Sequence, residues 1–121
     1  MAIFKKNLKD APLFSAGDAT HLREIMHPLK DKVDIGYSVA HAFVKPGEAS
    51  LPHTLDSSET YYILSGKGQM TIGETAFDVA PGMIYCVPAG EVQHIQNTST
   101  VDLMFLCIVE PFWQEKEETV L

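Results

Sequence analysis

The sequence predicts an all-β fold, a single antiparallel sandwich or barrel, on three observations. Short runs rich in β-branched and aromatic residues recur along the 121-residue chain. Glycine- and proline-based turn signals interrupt them about every 8–15 residues, a spacing that suits a sandwich or barrel and not alternating strand–helix units. No stretch holds a helical period over a dozen residues.

Taken in order, HLREIMHP (21–28) reads either as a strand or as a turn and a half of helix, and its neighbours favour the strand. YSVAHAFV (37–44) is the first clear strand, followed by the Pro46-Gly47 turn. ETYYILS (59–65) and GQMTIG (68–73) flank the Ser65–Gly68 turn. Gly73-Glu74 and Pro81-Gly82 bound the next connection, MIYCVP (83–88) follows, and Pro88-Ala89-Gly90 turns the chain again. VDLMFLCIV (101–109) is the last strand expected. The acidic end, QEKEETVL, is expected to be a surface tail or a short helix. The domain reading is therefore one domain over 1–121, with a core at about 20–110 and an acidic C-terminal tail at about 111–121.

Apolar residues make up 45% and charged residues 21% of the chain, a globular balance. The formal net charge of −7, with no lysine–arginine cluster, argues against nucleic acid or an anionic membrane as partner. The start, MAIFKKNLKD, has no apolar core of a signal peptide, and no apolar run has the length of a membrane helix. A soluble, cytoplasmic protein is expected. Cys86 and Cys107 sit in apolar runs and are read as small buried hydrophobes, not as a disulfide framework.

The chemistry concentrates in two segments. In GEASLPHTLDSSETYYILSG (47–66), His53 and Glu59 offer an imidazole and a carboxylate, a donor pair suited to a divalent transition metal such as Mn, Fe, Ni, Co or Zn. In GMIYCVPAGEVQHIQN (82–97), Gln93, His94 and Asn97 follow the Pro-Ala-Gly turn. His41 lies mid-strand and is either an ordinary strand histidine or an inward neighbour of His53. Tyr61 shares the strand parity of Glu59, so it either lines the interior with Glu59 or fills the core. His21 and His27 are expected to be ordinary surface residues.

These two segments resemble the two motifs of the cupin superfamily. Gly47, His53, Glu59 and Gly66 fall in the register G-x5-H-x-H-x3-E-x6-G. Gly82, Pro88, Gly90 and Asn97 fall in G-x5-P-x-G-x2-H-x3-N, and fifteen residues, Lys67 to Pro81, separate the motifs. The resemblance covers roughly residues 35–110. It implies a small single-domain cupin: an antiparallel β-barrel of the double-stranded β-helix, or jelly-roll, type. It also implies a metal held by the two motif-1 histidines, the glutamate and the motif-2 histidine. Two of those positions depart from the pattern, since Leu55 stands for the second histidine and Gln93 for the last. The implied ligands are thus His53, Glu59 and, through its amide oxygen, Gln93. His41 and His94 are candidate replacements. Alternation along a strand turns Gln93 inward and His94 outward unless a bulge intervenes.

The resemblance implies a metal-binding cupin, either an enzyme acting on a small polar organic molecule in the barrel or a barrel that only binds or senses one. It further implies a homodimer. Phe112 and Trp113 are expected to cap one barrel end or to form a dimer contact.

Overall fold

A computed structural model describes residues 1–121. Eleven strands follow in chain order. They are β1 (Leu13–Ser15), β2 (His21–Met26), β3 (Ser38–Val44), β4 (His53–Leu55), β5 (Ser58–Ser65), β6 (Gly68–Ile72), β7 (Thr75–Val79), β8 (Ile84–Val87), β9 (Gln93–Asn97), β10 (Leu103–Glu110) and β11 (Glu118–Val120). One short helix, α1 (Pro28–Asp31), follows β2, and His27 caps it by accepting from the Leu29 N–H.

The strands form two antiparallel sheets. One has the order β1-β2-β3-β10-β5-β8 and the other β11-β4-β9-β6-β7. The expected all-β cupin-type architecture is present as two facing sheets, not as one continuous hydrogen-bonded cylinder. The segment 21–28 is a strand through Met26. The acidic end departs from the expectation of a tail or helix: after a single 3-10 turn it becomes β11 and pairs with β4, placing Val120 beside His53 and Glu118 beside Leu55.

Alternation along the central strands fills the space between the sheets. On β10, Leu103, Phe105, Cys107 and Val109 are buried while the residues between them are half-buried on the outer side. Ile63, Met70, Ile95 and Leu103 pack the interior beside Phe105. The Gly66 turn is tight: it adopts φ +82°, and a Cβ there would meet the Asp102 carbonyl oxygen at 2.5 Å. Glycine is the residue that tolerates both demands. Asn97 locks the neighbouring corner, its side-chain N–H groups donating to the carbonyls of Val44 and Val101 and its oxygen accepting from Ser99.

Two sequence expectations about surface and core are reversed. His27 is buried, with Nε2 2.8 Å from the Trp113 carbonyl and its ring edge-on to Phe112. Cys86 is exposed on the outer face of its sheet, whereas Cys107 is buried.

Candidate functional site

The interior is packed at one end and open at the other. The open end is a small cavity that reaches solvent at its mouth. Its polar wall includes Asp18, Glu24, His53, Glu59, Tyr61 and Glu118, and its apolar wall includes Leu22, Ala42, Leu55, Phe105 and Val109.

His53 opens β4 and is buried. Its Nδ1 donates to the Leu51 carbonyl oxygen at 2.7 Å, because a carbonyl can only accept. That bond turns Nε2 toward Asp18, whose Oδ2 lies 3.3 Å away. Asp18 is buried in the β1–β2 loop, and its other carboxylate oxygen accepts from the Thr20 N–H at 3.0 Å. The Asp18 carbonyl in turn accepts from the Leu51 N–H at 2.7 Å. Asp18, Leu51 and His53 therefore close a ring of contacts in which main chain and side chain fix each other. Both neighbours of the His53 ring are acceptors. The ring can donate to both only as imidazolium; with one ring proton on Nδ1, Nε2 carries a lone pair.

Glu59 opens the inward row of β5, which continues through Tyr61 to Ile63. Its partial exposure is to the cavity. Burial pushes its carboxyl above the ordinary value, and Asp18 adds to the push while His53 opposes it. Tyr61 donates its O–H to Gln93 Oε1 at 2.6 Å, and Glu59 Oε1 lies 3.4 Å from the same phenol oxygen. One phenol proton cannot serve both oxygens, so the shorter contact takes it. A neutral Glu59 can then donate toward the phenol oxygen. Burial, reinforced by Glu59, pushes the Tyr61 phenol far up, so it stays a donor. Burial and the same carboxylate raise the Cys107 thiol, which keeps it from being a ready nucleophile.

The candidate residues named from sequence separate into two groups. His53, Leu55, Glu59 and Tyr61 line the cavity. Gln93 is fully buried and is the cross-strand partner of His53, but it stands behind Tyr61 and off the cavity wall. His94 lies on the outer side of β9, between buried Gln93 and Ile95 and opposite Thr71, so no bulge brings it inward. His41 likewise lies on the outer side of β3, opposite Arg23 and Leu106, while Ala40 and Ala42 take the cavity side. Partial burial, with Arg23 adding to it, lowers the His41 imidazole from its ordinary value. Neither histidine replaces a lost ligand. Asp18 was not found from sequence. A single aspartate in a Gly-Asp turn carries no periodic or motif signal, and only the return of the first hairpin onto the interior gives it a role.

A model of the cupin domain matches residues 40–109. The chain belongs to the cupin family. An uncharacterized protein of Methanocaldococcus jannaschii is 31% identical over the whole of this chain and 97% of its own length. Among solved structures, Pac13 of Streptomyces, a nucleoside dehydratase, superposes with a TM-score of 0.80 at 21% identity, over 99% of this chain and 92% of Pac13. Oxalate decarboxylase from Bacillus subtilis gives a TM-score of 0.87 at 20% identity; this chain is covered fully but spans only 32% of that one. The polyketide cyclase RemF from Streptomyces resistomycificus gives 0.76 at 18% identity, over 90% of this chain and 80% of RemF. Identities this low speak for the fold alone.

The family pattern implies a metal, and the donor set here does not fit it. An apolar leucine occupies one ligand position. Gln93 gives its amide oxygen to Tyr61 and stands off the cavity wall. His53 Nε2 faces Asp18. No three histidine, cysteine, aspartate or glutamate side chains converge in a geometry that could hold a metal ion. A resident metal needs such convergence, three or four donors at about 2.0–2.3 Å from one point.

Proposed function

We propose that this cupin binds a small organic molecule in its open end and moves protons on it with Glu59 and the Asp18–His53 pair, without a resident metal. The observation that carries this reading is a buried carboxyl and an imidazole–carboxylate pair on one cavity wall. Burial favours the neutral, proton-donating form of Glu59. His53, with its ring proton held on Nδ1 by Leu51, presents a lone pair at Nε2. A neutral-biased carboxyl and an imidazole facing one cavity can divide the roles of acid and base.

Glu59 gives its proton to an oxygen of the bound molecule, and Nε2 of His53 takes a proton from a neighbouring C–H or O–H. Asp18 steadies the imidazolium that results. Its Oδ2 stands 3.3 Å from Nε2, close enough to stabilise the charge the ring gains. The two transfers balance. Tyr61, its proton given to Gln93, holds the Glu59 side chain through its phenol oxygen. Similar folds include a nucleoside dehydratase and a polyketide cyclase, and losing water or closing a ring both require proton transfers.

The test is exchange of carbon-bound hydrogen for solvent deuterium, read by proton NMR, across small ketones, hydroxyketones and aminoketones. Exchange that disappears in both Glu59→Gln and His53→Gln is the expected result. Exchange indifferent to both variants, or found with none of the compounds, returns the chain to the non-catalytic binding reading. About one equivalent of metal in protein purified after Mn, Fe, Ni, Co and Zn are each offered overturns the metal-free part.

The outer face of the six-stranded sheet supports a homodimer. Ile84, Tyr62 and Leu106 lie in one cross-strand row, and Tyr62, Leu64 and Ile84 are exposed. A second copy covering this row is expected as a doubled mass in light scattering that Tyr62→Glu reduces. Two unpaired cysteines support a reducing, cytoplasmic setting, and no helix is long and apolar enough to cross a membrane.

A further inference from the structure

The charges around the cavity have one sign. Its lining includes Asp18, Glu24, Glu59 and Glu118, and His53 is the only basic side chain on the wall. Three of these acids are accounted for. Asp18 faces His53, Glu24 holds the Lys30 ammonium at 2.6 Å, and Glu59 sits in the neutral-biased proton site. Glu118 is different. Its Oε2 accepts from the Trp113 indole N–H at 2.9 Å, but its Oε1 is buried without any hydrogen-bond partner. A buried carboxylate oxygen left without a donor is costly, and such an atom calls for an explanation.

Its position supplies one. Phe14, Ala16, Trp113 and Glu118 line both the cavity and a second, outer hollow, which adds Glu115 and no basic residue. These four residues are the neck between the two. Two aromatic rings and a carboxylate oxygen in want of a donor are the elements that bind an ammonium group, through the ring faces and a charge-assisted hydrogen bond. Trp113 already attracts a cation, since the Lys30 ammonium lies 5.8 Å from its ring centroid.

We propose that the neck is a recognition site for a cationic amine, and that the molecule entering the cavity carries a protonated amino group on a small apolar or aromatic body. The amine donates to Glu118 Oε1 against Phe14 and Trp113, and the body extends toward Leu55 and Phe105. Small dicarboxylates and other anions are excluded, because the approach and the wall are lined by carboxylates. The inference rests on the reading of this cavity as the ligand site.

The single tryptophan of the chain is Trp113, so its fluorescence reports on the neck directly. Three probes of matched shape separate the possibilities: benzylamine, benzyl alcohol and benzoate at neutral pH. Benzylamine is expected to shift Trp113 emission with an affinity at least about tenfold above benzyl alcohol, and benzoate to leave it unchanged. That tenfold corresponds to about 1.4 kcal/mol. Glu118→Gln keeps an acceptor for the indole N–H and is expected to erase the preference for the amine while sparing benzyl alcohol. Equal or tighter binding of benzyl alcohol or benzoate overturns the amine site and leaves the proton site standing. An amine preference that survives Glu118→Gln also overturns it. No response to any probe overturns the amine site together with the cavity as ligand site.

Discussion

The two ends of one interior follow different rules. On β5 the inward row runs from Glu59 through Tyr61 to Ile63, and on β9 from Gln93 through Ile95 to Asn97. At the packed end Ile63, Met70 and Leu103 are wholly buried, and their place is fixed by alternation and volume. At the open end the same alternation turns Glu59, Tyr61 and His53 inward, where only the hydrogen bonds they make offset their desolvation. The packed end stabilises the fold; the open end is held in a costly arrangement by it. Buried titratable groups gathered at a cavity are where a functional site is sought.

The largest effect that can break this contrast is loss of packing. Leu103→Ala is expected to cost about 2–5 kcal/mol of stability in chemical denaturation, the range for a buried leucine truncated in a core that cannot collapse. A cost as small as that of a surface change would mean the packed end is not the seat of stability. Leu55→His, on the open-end wall, restores the second imidazole of the family pattern. It is expected to raise the metal bound after loading from well below one toward one per chain, measured by elemental analysis. Uptake as strong in the parent chain would show that the open end is a metal centre already.

Glu59→Gln sharpens the contrast through pH. The Glu59 carboxyl is raised in the folded state, mainly by burial. Its contribution to stability is thus fully present below the unfolded-state value and is lost as pH rises through the folded one. The variant is expected to melt with the parent in acid and above it toward neutral pH, in thermal scans across that range. A variant that melts below the parent at neutral pH would show that the ionised carboxylate stabilises the site. Smallest of all, His41→Ala and His94→Ala, on the outer sides of β3 and β9, are each expected to change stability by about 0.5 kcal/mol or less. Neither is expected to alter the fluorescence response to benzylamine.

Most of the fold was legible because it is written locally. Alternating β-branched residues and glycine turns marked β3, β5, β6, β8 and β10 to within a residue or two. The three-residue strands β1, β4 and β11 were not, since so short a run carries no period, and β7, read as connection, was missed as well; each exists because a neighbouring strand offers a ladder. Register placed Glu59, His53 and Gln93 in the motifs, but it could not reveal that Gln93 stands behind Tyr61. That depends on how two sheets approach each other. Asp18 and Glu118 were invisible for the same reason. Each is an ordinary polar residue in sequence; Asp18 meets His53 across 35 positions, and Glu118 reaches the cavity wall only because β11 returns to β4. The buried His27 shows the rule from the other side: its partners, Trp113 and Phe112, come from the far end of the chain.

The pairing of β11 with β4 ties two parts of the site together. β4 has β9 on one edge and β11 on the other, and the same three-residue ladder sets Val120 beside His53 and Glu118 beside Leu55. A change that loosens β11 therefore bares an edge of the strand that carries His53 and removes a wall of the neck at once. Access to the cavity and the seating of its imidazole are fastened by one short ladder.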